Sequence, residues 1–417
     1  MSYILRSAGF APGGSPSWPL SQPPCWRGFA GAPAPGFSAA TVWWQPGDVL
    51  ALDFANSRYM REGGTASLGA VLSASRTSPA TWFTDAGILQ PFDANVPAIT
   101  DRGLYAGGQR VNKCRNFNAN PTDLTGVSKA GDAAATLTVV DDTAELAAAG
   151  LGGICTSGMA FKLDNSAGSA NAQAYVTGNS GNTNPHTMSA YMRSTGSARM
   201  VLSSSGGTGW TNSAVYTRRS ATVTPANSSQ QLVIEAAAGK IVWFILNQLE
   251  EATFASPPIV TEGGTGTTRL ADALAIPDFA ALAAAFGFAD GFTVKSRVYF
   301  DPAITVTQGI WAFGADSGNY VQGYIAGGGL PRFRLATSGT TRFTLTAGTW
   351  LTAGWKDVEC RAIDGAWQII ATDLAGASDA SSFALPALSV GQIGRILSGT
   401  GFEMNGPIGE IRVGSAS

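Results

Sequence analysis

Charged side chains are scarce in this sequence of 417 residues, since Asp, Glu, Lys and Arg together make up only 13%. The formal net charge is −2, which argues against the basic surface that a nucleic-acid-binding protein needs. The chain has no apolar run of about 20 residues, the length of a membrane-spanning helix. Its first residues also lack the apolar core of a secretory signal peptide. We therefore expect no nucleic-acid partner, no membrane insertion and no ordinary export.

Cysteine and histidine are rarer still. The four cysteines, Cys25, Cys114, Cys155 and Cys360, are widely separated and form no Cys-x-x-Cys pair. This spacing favours buried free thiols over a disulfide framework or a zinc site. The single histidine, His186, lies in the polar stretch NTNPHT, which we interpret as a loop between strands.

The sequence offers two starting points for an enzyme, and both are incomplete. Ser317 lies in a GADSG stretch similar to a protease motif, but the only histidine falls in a different predicted domain. Asp357 and Glu359 are two residues apart on a predicted strand and share a face, an arrangement found in some lectin-fold glycosidases. A third carboxylate is missing, because Trp355 and Arg361 occupy the neighbouring positions on that face. We predict that the chain is not an enzyme, with glycoside hydrolysis by Asp357 and Glu359 as the alternative.

What the sequence has in quantity is glycine, with 52 residues, and short apolar runs separated by Gly, Ser, Asn and Thr. Hydrophobic residues make up 45% of the chain, enough for packed cores. Short apolar runs with frequent turn signals are typical of all-β proteins. The predicted fold class is therefore all-β, with an N-terminal Pro/Gly-rich extended arm followed by two antiparallel β-sandwiches.

The chain divides into five predicted segments around a seam at residues 243–272, where a strand is followed by paired prolines and a Gly/Thr tract. The segment before the seam has eight candidate strands, which fits a jelly roll, with a short helix at 141–150. A second short helix is expected near 280–288. The segments are 1–72 (arm and first strands), 73–110, 111–262 (jelly roll), 263–290 (linker) and 291–417 (second sandwich).

Several short motifs resemble, in their order, a family of bacteriophage tail fibres and head spikes, including the head spikes of phage-like gene transfer agents. They are Arg76-x-Ser78-x-Ala80-Thr81-Trp82-Phe83, Asp85-x-Gly87-x-Leu89, Ala94-Asn95-Val96-Pro97 and Gly103-Leu104, followed by Trp243, Gln248, Glu250, Thr261, Arg269 and Asp272. The sequence departs from the family at Ala98, where an arginine is usual, and at 109–112. The resemblance implies that residues 73–110 form a family segment and that residues 111–262 form a carbohydrate-binding-module-like jelly roll.

The C-terminal segment resembles concanavalin-A-like lectin sandwiches in its closing strand GPIGEIRVG and in the run from Trp355 to Trp367. Together the two resemblances imply a virion structural protein, a head spike or fibre, assembled in the bacterial host cytoplasm and displayed on the virion surface. Its partners would be other virion proteins, at a capsid vertex, a spike base or a tail tip, and host surface polysaccharide. A tail-fibre receptor-binding protein and a purely decorative capsid protein are the alternatives.

Sugars present apolar C–H faces surrounded by hydroxyls, so their sites combine aromatic side chains with planar polar ones. The candidate carbohydrate-binding residues are Trp210, Tyr216, Asn212 and Arg193 in the first sandwich, and Tyr320, Tyr324 and Asn319 in the second. Trp311, Trp350 and Trp367 fall in apolar strand patterns and are predicted to lie in the core. No cofactor is expected, although Asp141, Asp142, Asp164 and Asn165 could supply oxygens to a structural calcium ion.

The N-terminal arm is the predicted attachment segment. Residues 1–40 hold seven prolines and six glycines, a density that is incompatible with a regular helix or a central strand. Trp18, Trp26, Trp43 and Trp44 are the candidate virion-attachment residues. Because an extended arm cannot bury its own tryptophans, we also predict a homo-oligomer, most simply a trimer.

Overall fold

A computed structural model describes residues 43–261, 266–399 and 402–415. Most regular structure in these ranges is β-strand, and the strands pair antiparallel. The all-β prediction is thus confirmed. The predicted arm, with Trp18 and Trp26, lies outside the described residues, whereas Trp43 and Trp44 are described and half-buried.

The described elements are thirty strands and three short α-helices. The strands of the first third are β1 (Asp48–Asp53), β2 (Arg58–Arg61), β3 (Gly64–Thr65), β4 (Ser73–Ser75), β5 (Ala80–Phe83), β6 (Leu89–Phe92), β7 (Ala98–Thr100), β8 (Gly103–Ala106) and β9 (Arg110–Asn112). Those of the middle third are β10 (Val127–Gly131), β11 (Thr136–Asp141), β12 (Met159–Asn165), β13 (Ala172–Asn179), β14 (His186–Ser194), β15 (Ala198–Leu202), β16 (Thr217–Val223), β17 (Gln231–Ala236) and β18 (Lys240–Glu251). The remaining strands are β19 (Thr267–Arg269), β20 (Ala273–Ala275), β21 (Phe292–Phe300), β22 (Gln308–Asp316), β23 (Asn319–Ala326), β24 (Leu330–Thr337), β25 (Thr340–Thr346), β26 (Gly354–Ala362), β27 (Trp367–Ala371), β28 (Ala377–Asp379), β29 (Val390–Ile393) and β30 (Gly406–Ser415). The helices are α1 (Leu68–Val71), α2 (Thr143–Ala148) and α3 (Phe279–Ala285), with a 3₁₀ turn at Phe288–Asp290.

A large sandwich is built from a ten-stranded and a seven-stranded sheet. The ten-stranded sheet runs β28-β27-β26-β21-β30-β1-β2-β3, with β8 also paired to β30 and β7 paired to β8. The seven-stranded sheet runs β25-β24-β23-β22-β29-β20-β4. Both sheets therefore combine strands from before residue 110 with strands from after residue 270. The predicted linear order of domains does not describe this arrangement, because β1 pairs along its length with β30, Leu52 lying opposite Ile411.

The core of the large sandwich is rich in aromatic side chains. Strand β21 shows why, since its residues alternate strictly between buried and half-buried positions. Phe292 and Phe300 point inward, as the alternation predicts, and meet the buried Trp311 and Trp350 through edge and tilted ring contacts. Trp311, Trp350 and Trp367 are all buried, which confirms their predicted core placement.

A smaller sandwich is formed by the middle strands. Its four-stranded sheet runs β10-β13-β17-β15, and its five-stranded sheet runs β11-β12-β18-β14-β16. Phe161 and Phe244 stack in its core with ring centroids 5.3 Å apart. Strands β9 and β19, which precede and follow it in the chain, pair with each other through Asn112 and Thr267. The smaller sandwich is therefore an insertion into the large one.

The motif residues Arg76, Arg269 and Asp272 meet at the junction between the sandwiches. Asp272 Oδ1 accepts a hydrogen bond from Arg76, and Asp272 Oδ2 accepts from Arg269 Nη2 at 2.7 Å and from the Gly107 N–H at 2.8 Å. All three side chains are buried. The remaining Arg76 N–H groups donate to the carbonyls of Ser78, Asp93 and Val96. Residues far apart in the sequence thus form one buried charge network.

Three further expectations bear on the local structure. The two predicted short helices are present as α2 and α3. The predicted linker 263–290 is not a simple connector, because β19, β20 and α3 pack into the sheets there. His186 is not a loop residue, since it begins β14, is fully buried, and lies 2.8 Å from Lys113 Nζ through its Nε2. The polar residues before His186 are typical of a loop, and for this reason the start of the strand was not predicted.

The described cysteines, Cys114, Cys155 and Cys360, are buried free thiols, as predicted, while Cys25 lies outside the described residues. Burial raises the pKa of the Cys155 thiol to about 12, so the thiolate does not form near neutral pH. Among the residues that the structure describes, no helix has the length and apolar character needed to cross a membrane.

Candidate functional site

The predicted site residues of the smaller sandwich separate into two groups. Arg193 and Tyr216 both bind Asp142, through Arg193 Nη2 at 2.5 Å and the Tyr216 hydroxyl at 2.7 Å. The Arg193 guanidinium also lies 3.8 Å from the centre of the Trp243 ring. Because Tyr216 is buried in this cluster, its role is packing over the outer face of the five-stranded sheet. Asn212 is exposed on the loop before β16.

The predicted site residues of the large sandwich are mostly covered. Tyr320 is 2% exposed and Tyr324 is 7% exposed, so neither ring offers a free face for stacking. Tyr324 packs against Ile396 in a small apolar cluster. Asn319 donates to Asp316 at 3.1 Å and stabilises the turn between β22 and β23. The expected aromatic site on this sheet is therefore not an open surface.

Trp210 has a different setting, at the outer face of the four-stranded sheet. It remains 38% exposed, and the Arg199 guanidinium lies 4.5 Å from the centre of its ring. Arg199 forms an ion pair with the buried Glu235, which also accepts a hydrogen bond from Gln173 Nε2 at 2.5 Å. The Tyr175 hydroxyl donates to Gln173 Oε1 at 3.3 Å. We call these five residues the Trp210 surface.

Strand register explains how the Trp210 surface is assembled. Glu235 on β17 lies directly opposite Gln173 on β13 and Arg199 on β15. Residues directly opposite each other in an antiparallel sheet point to the same face, so the three polar groups form one row. An ion pair with one buried partner and further hydrogen bonds holds its side chains in one geometry better than a fully exposed pair does. The row is therefore rigid where it supports the indole.

The loop that carries Trp210 is held against the edge of the sheet. Thr211 and Ala198 exchange both backbone hydrogen bonds at 2.9 Å. A Cβ atom on Gly207 would lie 2.1 Å from the Met200 carbonyl oxygen, so only glycine permits this close approach. The segment 207–211 thus runs along β15 and fixes Trp210 beside Arg199.

The residues that the sequence suggested for catalysis have the following positions in the structure. Glu359 accepts from Arg361 Nε at 2.8 Å, and its strand neighbour across the sheet is Lys295. Ser317 lies in the turn after β22 of the large sandwich, whereas His186 is buried in the smaller one. These positions assemble no nucleophile–base pair. Glu250 and Glu251 lie on opposite faces of β18, with Glu250 buried and Glu251 exposed.

The candidate calcium oxygens are engaged by other groups. Asp142 binds Arg193, and Asp164 accepts from Ser166 and from Lys162, whose Nζ is 2.9 Å away. These hydrogen bonds and the nearby ammonium lower the pKa of Asp164 to about 2. Within the described ranges, no group of three or more His, Cys, Asp or Glu side chains could hold a metal ion.

Sequence reasoning identified Trp210 but missed Arg199, Glu235 and Gln173. Each of them lies between two core residues of its strand, a pattern that places it on the outer face. The pattern cannot show that the three lie side by side, because that depends on which strands pair and in what register.

No known family model matches the chain, and no curated protein matches it. Among solved structures, the chain is similar to the CBM40 module of a Ruminococcus gnavus IT-sialidase, with 16% identity, a TM-score of 0.28, and 33% of this chain and 83% of that one covered. It is also similar to a leech intramolecular trans-sialidase, with 19% identity, a TM-score of 0.27, and 33% and 23% covered. A Trypanosoma rangeli sialidase in complex with sialic acid matches at 10% identity and a TM-score of 0.26, over 86% and 63%. TM-scores this low do not establish a shared fold or ligand. The likeness to phage and gene-transfer-agent head spikes stays a prediction.

Proposed function

We propose that this chain is a non-enzymatic carbohydrate-binding protein and that the Trp210 surface is its site. The observation that carries the proposal is an exposed indole held in place by the ion-paired Arg199 and Glu235. A flat aromatic ring can stack on the C–H face of a pyranose, and planar groups beside it can bind the hydroxyls at the rim of the sugar. Gln173 and Arg199 are planar groups of this kind, and both lie in the row next to Trp210.

The polar row also favours binding through pre-organisation. Arg199 and Glu235 already make their ion pair in the free protein, so a sugar does not have to order either side chain. Glu235 is buried and stays paired, while Trp210 remains open to solvent. The site is thus of the kind in which one exposed aromatic residue supplies most of the binding energy.

The proposal includes a biological role, a head spike or fibre on the surface of a phage-like virion that attaches to host polysaccharide. Its support is the order of the motifs around Arg76, Arg269 and Asp272, which resembles that of head spikes. The buried network that these residues form gives the motif a structural reason, since it ties the chain that precedes the smaller sandwich to the chain that follows it. Immunogold labelling of intact particles with an antibody to this chain tests the role, and label confined to host cell debris would contradict it.

We expect the full chain to bind at least one bacterial surface polysaccharide on a glycan array. Replacing Trp210 with alanine should weaken that binding at least about tenfold, or ~1.4 kcal/mol, because exposed aromatic anchors dominate such sites. Trp210→Phe should retain part of the affinity, since it keeps a smaller ring. Titration calorimetry with the polysaccharide identified on the array measures both variants.

Val215→Ala is the matched control, because Val215 lies on the same loop, is 60% exposed and takes no part in the polar row. Full binding by Trp210→Ala would move the site elsewhere. An array without any bound glycan would favour the decorative capsid role. Release of reducing ends during a long incubation would support the glycosidase alternative with Asp357 and Glu359.

The proposed spike is a homo-oligomer, and a trimer is the expected state. Multi-angle light scattering of the full chain should give three times the monomer mass of 42.8 kDa. Removing residues 1–42 should lower the number of copies per particle, because the tryptophans of the arm are the proposed contacts between copies. A monodisperse monomer with the arm present would contradict this part of the proposal.

A further inference from the structure

The outer face of the ten-stranded sheet carries a row of charged residues across four adjacent strands. Arg297 on β21 lies opposite Asp357 on β26 and opposite Glu410 on β30, and Glu410 lies opposite Asp53 on β1. Directly opposite residues point to the same side of the sheet, so these four side chains share one face. This face belongs to the large sandwich and is separate from the Trp210 surface.

An exposed tryptophan lies next to this row. Trp355 is 36% exposed, and its ring meets Tyr299 in a T-shaped contact with centroids 5.7 Å apart. The Arg297 guanidinium is also 5.7 Å from the centre of the Trp355 ring. Trp355 stands on β26, two residues before Asp357, and therefore on the same face of the sheet.

A glycine lets the indole lie close against the sheet. Gly409 is at the bulge of β30, where the register with β21 shifts. A Cβ atom at this position would lie 3.0 Å from the Cζ3 atom of Trp355, closer than such atoms normally approach. The six-membered ring of Trp355 therefore rests over the backbone of Gly409, immediately before Glu410. The result is a flat aromatic platform beside the charged row.

The platform adjoins a cleft between the two sandwiches. Tyr299, which contacts Trp355, also lines this cleft, together with Arg102, Arg218, Thr222 and Asn405. The cleft has a volume of approximately 470 Å³, within the range of about 300–1,000 Å³ that is usual for ligand sites. A ligand of several rings could stack on Trp355 with one ring and place the next ones in the cleft.

We propose that the Trp355 platform and the adjoining cleft form a second carbohydrate site, specific for a neutral, β-linked chain of hexopyranoses. A β-linked gluco- or manno-configured chain is extended and has broad C–H faces, which match a flat indole. Arg297, Asp357 and Glu410 provide planar donors and acceptors for the hydroxyls around such a ring. The inference goes beyond the proposed function, since it concerns another face and stands or falls independently of Trp210.

The charges beside the indole argue for a neutral sugar. Arg297 lies opposite the carboxylates Asp357 and Glu410, and Glu410 is ion-paired with Arg412, so positive and negative groups beside the indole are matched. A matched row gives a uronic acid no net attraction at the ring that stacks on Trp355, which favours a neutral sugar there. Burial raises the pKa of Glu410, and although Arg412 counteracts the shift, Asp53 and Asp357 add to it. The ion pair with Arg412 holds the Glu410 carboxylate in one position within the charged row.

Titration calorimetry of the full chain tests this site with cellohexaose, laminarihexaose and β-1,4-mannohexaose as neutral probes and a tetragalacturonate as the acidic one. We expect binding to at least one neutral hexaose, weaker binding of the corresponding disaccharide, and no binding of the tetragalacturonate. Trp355→Ala should reduce the affinity at least about tenfold, as expected for an aromatic anchor. Trp210→Ala should leave it unchanged, which separates this site from the one proposed above.

Gly409→Ala is a second, independent test, because it changes no side chain that could touch the sugar. The added methyl group would displace the indole by a few tenths of an ångström and should weaken binding by a smaller factor than Trp355→Ala. Both variants should melt at the temperature of the parent chain, which would show that the fold is intact. If one of them fails to fold, Trp355→Tyr takes its place. Failure of all three hexaoses to bind, or an unchanged affinity in Trp355→Ala, would overturn the inference. A lower oligomer mass for Trp355→Ala by light scattering would overturn it too, by assigning the platform to a contact between copies.

Discussion

Asp272→Ala should lower the free energy of unfolding by about 3–5 kcal/mol, which is the range for breaking a buried ion pair by removing one partner. Asp272 is the shared acceptor of Arg76 and Arg269, and all three side chains are buried. Its loss would leave two guanidinium groups uncompensated and would also free the Gly107 N–H. Equilibrium urea denaturation measures the change.

The junction position of Asp272 makes a second outcome of this variant informative. Arg76 precedes the smaller sandwich in the chain, and Asp272 follows it. Loss of their contact should therefore loosen the junction between the sandwiches, so that the two sandwiches unfold less cooperatively. Glu145→Ala is the control, since Glu145 is exposed on α2 and its removal should change stability by no more than about 0.5 kcal/mol. A change below about 1 kcal/mol for Asp272→Ala would show that the network contributes little.

Trp311→Ala should cost about 3–5 kcal/mol, the usual range for truncating a large buried aromatic side chain. Trp311 is fully buried and contacts Phe292, Phe313 and Phe333, with ring centroids between 4.9 and 6.3 Å away. Its removal leaves a cavity that rigid neighbouring rings cannot fill by small shifts. The loss of buried apolar surface and the cavity itself therefore both lower the free energy of unfolding. Urea or thermal denaturation monitored in the near-ultraviolet reports the loss.

Trp355→Ala is a matched control for Trp311→Ala, because it removes the same side chain from the outer face of the same sandwich. Since Trp355 is 36% exposed, its removal should cost about 1 kcal/mol or less. Equal destabilisation by the two variants would contradict the assignment of Trp355 to an open platform. Together the pair separates a tryptophan that stabilises the core from one that is available for binding.

Short-range patterns predicted the parts of the fold that depend on local sequence. The alternation along β21 puts Phe292 and Phe300 on one face and Lys295 on the other, and the face with the phenylalanines is the buried one. Apolar strand patterns likewise placed Trp311 and Trp367 in the core. These predictions succeeded because the side chains of a strand point alternately to its two faces, whatever the partner strand is.

Long-range pairing was beyond those patterns. Strand β1 could have paired with any neighbour, since backbone hydrogen bonds are the same for every sequence, yet its partner is β30, more than 350 positions later in the chain. The exposure of an aromatic residue is also a tertiary property. Along β23, Tyr324 lies on the face opposite the core residues Val321 and Ile325, as a surface residue would, yet it is buried against Ile396. Hence the sequence could not separate the buried Tyr324 from the open Trp355.

By itself, then, the sequence determined an all-β chain, the inward and outward faces of its strands, and the buried thiols of the described cysteines. Only the tertiary structure decided that the smaller sandwich is inserted into the larger one, through β9 and β19. It also decided that Arg199 lies beside Glu235 and that Trp355 rests on Gly409. The physical reason is that the side-chain period is a local property, whereas strand partners and register are chosen by the fit of the whole core.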